Sequence, residues 1–273
     1  VELRKEKLII FVKKNYNLAT YLILAFLVFL SIKIRTSNLP ILKDVTTNDW
    51  TLGPDLDPFL FLRWAEYIVS NGSLFALDKM RYVPLGLSTN EEYLLHPYLI
   101  AWFHNVFSLF GSESVTYSAI IFPVFMFALT VIAFFFLSRK IFLNSLGEKK
   151  ANILGLISSF FLIVMPSLLP RTIAGIPEKE ASGFLFMFLA FYFFLVSWDS
   201  KKNMQRYSFA VLSGLATSAM ALVWGGYIFI FITIAPAVLL SFMLGQVDRN
   251  KIYAYATWLL SAFVVMNYFS IRY

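Results

Sequence analysis

The chain alternates long apolar runs with short polar breaks. Runs at roughly 16–34, 116–138, 151–169, 181–198, 207–223, 227–244 and 252–270 are each long enough to cross a bilayer as a helix. An eighth apolar stretch, 94–110, is interrupted by His96, Pro97, His104 and Asn105. The pattern predicts an all-α fold, a polytopic transmembrane helical bundle of about seven spans.

Charge places the eighth stretch. Lys and Arg collect in short cytoplasmic loops. The N-terminal tail carries Arg4, Lys5, Lys7, Lys13 and Lys14, and loop 139–150 carries Arg139, Lys140, Lys149 and Lys150. With both inside, an even number of crossings separates them. Segment 94–110 is then an interfacial or re-entrant helix within one long external loop, about 35–115. Loops 199–206 (Lys201, Lys202, Arg206) and 245–251 (Arg249, Lys251) fall inside as well. The net charge of +7 therefore expresses membrane orientation, with the N-terminus cytoplasmic, rather than a nucleic-acid partner.

Composition agrees. Apolar residues make up 59% of the chain and charged residues 14%, against about 25% charged in soluble domains. There is no cysteine, which excludes disulfides and thiolate metal sites. The basic N-terminal flank leads into an apolar run with no small-residue cleavage site, so the first helix reads as retained. No linker, repeat or low-complexity tract divides the chain, and 1–273 reads as one transmembrane domain. It opens on Val1 and stops just after an apolar run, so a piece of a longer protein is expected. The external loop is far longer than most connections and rich in apolar and aromatic residues, which predicts order and function.

Two acidic segments fall on the outer face in this threading. One is Gly53-Pro-Asp-Leu-Asp57-Pro58; the other, in a second external loop at about 170–180, is Arg171-Thr-Ile-Ala-Gly175-Ile-Pro-Glu178-Lys-Glu180. Ionisable groups at membrane level are costly and point to function. Asp57 before Pro58 also reads as the N-cap of an amphipathic helix, with Pro at N1. In that helix Phe59, Leu62, Tyr67 and Val69 face apolar surroundings and Arg63 pairs with Glu66. A cap uses one carboxylate oxygen and leaves the other free. Glu178 and Glu180 read either as acids stabilised by a helix N-terminus or as oxygen ligands for a hard cation such as Mg2+ or Mn2+. His96 and His104 read as satisfied interfacial side chains. Asn71-Gly72-Ser73 is a formal glycosylation acceptor, but Asn-Gly more simply ends a helix. Trp224-Gly-Gly-Tyr227 reads as an outer interfacial turn.

Together these segments resemble a known family. Asp57-Pro-Phe-Leu-Phe-Leu-Arg63-Trp-Ala-Glu66-Tyr is similar to the first external-loop motif of oligosaccharyltransferase catalytic subunits. Arg81-Tyr-Val-Pro84-Leu-Gly86 resembles their Tyr-Pro-x-Gly segment, and Ala174-Gly175-Ile-Pro-Glu178-Lys-Glu180 their pair of acids separated by one residue. The order of elements agrees, and the archaeal single-subunit members look nearest. The second motif departs in having two Glu where an Asp is usual. The family's later spans and C-terminal soluble domain with its Trp-Trp-Asp-Tyr-Gly motif are not in this sequence.

The resemblance implies transfer of a glycan from a lipid-linked oligosaccharide, carried on polyprenyl (pyro)phosphate, to Asn of an Asn-x-Ser/Thr acceptor polypeptide. It implies an integral, multi-pass cell-membrane protein in contact with membrane lipid, with its active site on the external face. It assigns Asp57 as a catalytic carboxylate and metal ligand, Glu178 and Glu180 as further ligands of Mn2+ or Mg2+, and Arg171 as the balancing catalytic cation. The fragment alone is expected to be inactive. Two rivals fit parts of the pattern. A protein-mannosyltransferase-like enzyme also places acids in its first external loop, but lacks the paired acids of the second. A transporter or lipid flippase puts its charges at the midplane, often in repeated halves.

Overall fold

The computed structural model describes residues 16–111 and 114–270. The tail cations Arg4, Lys5, Lys7, Lys13 and Lys14 lie outside those residues. Helix α1 is Tyr16–Arg35. The long connection after it carries α2 (Leu56–Asn71), the hairpin β1 (Leu77–Asp78) and β2 (Leu87–Ser88), and α3 (Leu95–Phe107). Then follow α4 (Val115–Val164), α5 (Lys179–Asp199), α6 (Asn203–Val223), α7 (Ile228–Met243) and α8 (Arg249–Phe269). Among the described residues, 6 helices are long and apolar enough to cross a membrane: α1, α4, α5, α6, α7 and α8.

Helix α4 contains two of the expected spans. Its 50 residues break at Gly147, whose φ of 75° and ψ of 168° are not helical. The arms fold back on each other. Asn152 Oδ1 accepts from Arg139 Nε at 2.6 Å, and a Cβ on Gly155 would stand 3.2 Å from the Phe135 carbonyl. Residues this far apart in sequence would be about 20–30 Å apart on a straight helix. Loop 139–150 is therefore not a loop: helix continues into both sides of a break at Gly147. Intrahelical bonding of the backbone outweighs the local polarity there. With α4 counted as two arms, the expected seven spans are present, with ends that differ from the expected ones by up to about eight residues.

The stretch predicted at 94–110 is helix α3 followed by a 3-10 turn, Ser108–Phe110. At about 20 Å it is too short to span. One face buries His96, Pro97, Ile100, Ala101 and His104. His104 Nδ1 pairs with Ser118 Oγ at 2.9 Å, so the histidine is satisfied as expected. The long connection is ordered. Gly72 ends α2 at φ 80°, and its N–H donates to Ile68.

Two apolar cores result. One joins α1, α2, α3, α4 and α5 around Phe61, Ile100, Phe122, Phe127 and Phe135. The other joins α5 to α8 around Phe194, Met220, Ile230 and Trp258. Trp258 is fully buried and its indole donates to Thr217 Oγ1 at 3.0 Å. A ring of large apolar side chains is left facing outward, among them Leu22, Phe26 and Phe29 of α1 and Ile232, Leu239 and Phe242 of α7. That surface suits lipid.

Helix α1 also measures the bundle. At its start, the Tyr16 hydroxyl donates to the Lys149 carbonyl at 2.6 Å. At its end, the Arg35 carbonyl accepts from Ala174 N at 2.8 Å. The turn after Gly147 and the loop of the second acidic segment therefore lie about 30 Å apart, at opposite ends. Lys140 pairs with Asp199 at 2.7 Å, and Lys251 stands 5.1 Å from the Trp198 ring centroid. The three basic turns thus share one end, and the acidic segments take the other.

Candidate active site

The two acidic segments are distant in sequence and meet through their glycines. Gly53 N–H donates to the Gly175 carbonyl at 2.9 Å, and Gly175 N–H donates to the Ile120 carbonyl of α4 at 3.0 Å. No side chain fits between these strands of backbone. Gly175 has φ 82°, and a Cβ there would stand 2.6 Å from Leu42 Cδ1. A Cβ on Gly53 would stand 2.6 Å from Ile176 Cδ1. Glycine supplies the left-handed conformation of Gly175 at no steric cost.

From this junction each segment starts a helix. Asp55, extended at φ −131° and ψ 149°, is the N-cap of α2, and its Oδ1 accepts from Leu56 N at 2.8 Å. Asp57, expected to be the cap, lies in the first turn instead and is exposed. The helix starts early because Leu56 already has helical geometry; Pro58 is tolerated within the first turn, where its missing N–H is not needed. Glu178 is the N-cap of α5, and Glu180 lies in its first turn. All of these carboxylates sit at the positive ends of helix dipoles.

Arg171 links the segments. Its Nη1 lies 3.4 Å from Asp55 Oδ2 and 3.4 Å from Glu178 Oε1. Glu178 is 3% exposed. Burial pushes its carboxyl up to about 7, the charges of Glu180, Asp57 and Asp55 add to the rise, and Arg171 opposes it. Glu180 Oε2 is buried with no hydrogen-bond partner among the described residues. Three further acids therefore act on Glu178, and Arg171 only partly offsets them.

Beside Asp57 a cleft of about 70 Å³ is lined by Leu60, Phe61, Trp64, Arg81, Glu92, Tyr93 and Lys179. Arg81, from the third motif segment, pairs with Glu92 at 3.2 Å. Lys179 lies between the two glutamates in sequence and reaches the aromatic rings of this cleft. Its Nζ stands 5.3 Å from the Phe61 ring centroid and 5.5 Å from that of Tyr93. All three motif segments thus reach one place.

Two supports were not legible from sequence. His96 is fully buried; its Nε2 lies 2.8 Å from the Pro177 carbonyl and its Nδ1 3.3 Å from Ser182 Oγ. Burial drives its imidazolium down to about 4, against the pull of the Pro177 carbonyl and with Lys179 assisting, so the ring is neutral and pins the segment before Glu178. Asp78 is the other. Expected to pair with Glu66, Arg63 instead grips Asp78, which also accepts from Trp64 Nε1 at 3.1 Å and Met80 N at 3.1 Å. Burial alone would raise the Asp78 carboxyl, but these bonds and the Arg63 charge hold it below the ordinary range. A bidentate buried partner outcompetes an exposed i,i+3 contact. Phe59 and Tyr67, expected to face apolar surroundings, lie instead on the exposed side of α2; Leu62 is buried.

Among the described residues no three histidine or carboxylate groups stand in ligating geometry. In donor type the site still suits a hard cation. It offers carboxylate oxygens only, in excess of positive charge, one of them orphaned.

Known proteins are similar to this chain over most of its length. The family described as Oligosaccharyl transferase STT3, N-terminal, matches residues 23–272. The dolichyl-diphosphooligosaccharide–protein glycosyltransferase subunit STT3 of Saccharomyces cerevisiae is 25% identical over 213 residues, 75% of this chain and 28% of its own. The STT3A subunit of Oryza sativa subsp. japonica is 30% identical over 109 residues, 40% of this chain and 13% of its own. The Archaeoglobus fulgidus oligosaccharyltransferase, solved in complex with Zn and sulfate, shares the fold at a TM-score of 0.76 and 21% identity, covering 92% of this chain and 31% of that one. The same archaeal enzyme with an inhibitory peptide and a dolichol-phosphate superposes at 0.76, with 21% identity over 96% of this chain and 30% of that one. The chain thus spans under a third of the length of these relatives. It is a multi-pass integral membrane protein, and it belongs to the oligosaccharyl transferase STT3 family, whose N-terminal part it carries.

Proposed function

We propose that this chain is the transmembrane domain of an enzyme that transfers a glycan from a polyprenyl (pyro)phosphate carrier to Asn of an Asn-x-Ser/Thr acceptor. The observation that carries the reading is the Gly53–Gly175 junction, which joins the two acidic motifs that the family resemblance names. The family match supports the reaction class. The archaeal relative was solved with a tethered acceptor peptide containing the NVT sequon and with dolichol-phosphate, which supports the two substrates.

The chemical difficulty is the nucleophile, since an amide nitrogen shares its lone pair with its carbonyl. Asp57 is exposed in the first turn of α2 and faces a cleft. It accepts an N–H of the acceptor amide and holds the nitrogen toward the anomeric carbon. As the C–N bond forms, the glycan C–O bond breaks with its electron pair leaving on the (pyro)phosphate oxygen, and the proton the nitrogen loses passes to the Asp57 carboxylate that held it. Arg171 balances the carboxylates of Asp55 and Glu178.

Asp57, Glu178 and Glu180 would hold Mn2+ or Mg2+, and such an ion offsets leaving-group charge. Its binding requires side-chain movement, because the ligating geometry is not preformed. Zn accompanied the archaeal relative. The acidic end faces the cell exterior and the three basic turns the cytoplasm, following the charge rule.

The test is transfer by the full-length protein, using native lipid-linked glycan, an Asn-x-Thr peptide and Mn2+. Asp57→Ala and the double variant Glu178→Ala/Glu180→Ala should each abolish Mn2+-dependent transfer. A wild type that folds and transfers nothing to the peptide would sink the reading. Transfer indifferent to both variants would reduce the acids to dipole partners.

A further inference from the structure

The last turn of α1 holds an arginine, Arg35, with no ion-pair partner among the described residues. Arg35 is 0% exposed. Its Nε–H donates to Thr172 Oγ1 at 2.8 Å and its Nη1–H to the Ile163 carbonyl at 3.2 Å. The guanidinium lies over Phe127, 3.4 Å from the ring centroid. Nη2 has no hydrogen-bond partner among the described residues. A cation buried at membrane level is costly, and an apolar side chain would fill this volume without the cost. Arginine suits the place because it is weakly hydrated, stacks on aromatic faces and donates in a rigid fork.

What the fork holds is the stem of the second acidic segment. Thr172 is fully buried and gives its own hydroxyl proton to the Leu168 carbonyl at 2.7 Å, which aims its lone pairs at Arg35. The Arg35 carbonyl accepts from Ala174 N at 2.8 Å, and Asn38 Nδ2 donates to the Ala174 carbonyl at 2.8 Å. The end of α1 therefore grips residues 172 and 174. Arg171 directly precedes the gripped stretch. Gly175, fixed to Gly53 and Ile120, directly follows it, and Ile176 and Pro177 lead to Glu178. Arg35 contacts neither Arg171 nor Glu178, yet it holds the backbone between them.

We propose that Arg35 is a positioning residue of the acidic site, acting through Thr172 to keep Arg171 and Glu178 in register with Asp57. This rests on the reading of that site given above. Lysine cannot replace it, because one ammonium cannot reproduce the planar fork that reaches Thr172 and Ile163 together.

The experiment uses full-length protein in detergent, with Arg35→Met, Arg35→Lys, Thr172→Val and Thr172→Ser. Only the folded fraction from size exclusion is taken, and Mn2+ affinity is read by electron paramagnetic resonance. Removing a group that orients ligands typically weakens metal binding about 10- to 100-fold. Arg35→Met, Arg35→Lys and Thr172→Val should each raise the Mn2+ Kd by about tenfold or more, and Arg35→Met/Thr172→Val should be no weaker than the worse single variant. Thr172→Ser keeps the hydroxyl and should bind like wild type. In metal-free protein, hydrogen exchange of the peptide covering 171–178 should speed up in the same three variants.

Lower thermal stability with an unchanged Mn2+ Kd in the folded fraction would overturn the proposal and leave Arg35 a packing residue. Should Arg35→Met not fold, Thr172→Val and Thr172→Ser decide alone, since they leave Arg35 in place. A wild type that takes up no Mn2+ overturns the parent reading of a cation site. The exchange arm then reports separately whether the grip on 171–178 exists, and unchanged exchange there overturns the grip as well.

Discussion

Two residues, Gly175 and Glu178, shape the acidic end of the structure. Gly175 combines a left-handed backbone with a Cβ position already taken by Leu42. Left-handed geometry alone costs an L residue about 1–2 kcal/mol, and the overlap adds to it. Gly175→Ala should therefore lower the melting temperature and also weaken transfer in the folded fraction, because the alanine pries the two acidic segments apart. Equal melting temperatures would show that the junction is not tight. Glu178 gives a pH signature. Its carboxyl is raised to about 7 in the folded protein, above its unfolded value near 4.5. The folded state then binds the proton more tightly, so the associated stability is present below the unfolded value and is lost as pH rises through about 7. Thermal unfolding of metal-free protein should fall between pH 5 and pH 8 more steeply in wild type than in Glu178→Gln. His96, whose folded value is depressed to about 4, contributes the opposite slope as pH falls below its unfolded value, which is why the comparison is made within one pair of variants. Identical slopes in the pair would remove Glu178 from the account. Sequence showed Glu178 and Glu180 as a pair with two readings. It could not show that one is buried and crowded, because the segment before it is held by His96 of α3 and by the end of α1, both remote in the chain.

Among the elements, the doubled helix α4 is the clearest case of what local pattern hides. Two apolar runs separated by charged residues predicted two spans and a loop. Instead the backbone stays helical to Gly147 and bends there once. Arg139 staples the bend by donating to Asn152 and to Glu148 at 3.0 Å. The arms pack closely because Gly155 leaves room for Phe135. Gly155→Leu should force Phe135 off its position and cost about 1–3 kcal/mol, as overpacked cores do, read as a lower midpoint in thermal unfolding. An unchanged midpoint would mean that the arms are not in contact. In α2 the amphipathic pattern gave the right helix and the wrong cap, Asp57 for Asp55. Both are acids at plausible positions, and only the backbone angles separate them. The partner of Arg63 was missed because Asp78 arrives from a hairpin whose return depends on Gly86 at φ 80°, a tertiary fact with little local signal.

For the whole molecule, topology was legible because lipid imposes strong rules. A spanning segment must satisfy its own backbone, which forces long apolar helices, and charge sorts the turns to one end or the other. The three basic turns do share one end of the structure, and the two acidic segments share the opposite one. Counting charges left the stretch 94–110 out of the spans, and helix α3 is indeed too short to be one. What counting could not give is the meeting of segments more than a hundred residues apart through one backbone bond, Gly53 to Gly175.

On the proposed reading, Asp57 and Glu178, from those two segments, work as one site. The direct measurement is a double-mutant cycle on glycosyl transfer by the full-length protein, with Asp57→Asn, Glu178→Gln and the two combined. Groups that act as a unit are strongly non-additive. The prediction is that each single change lowers kcat by about 100-fold or more, and that the double variant is no slower than the worse single one. Losses that multiply in the double variant would contradict the claim and make the two acids independent contributors.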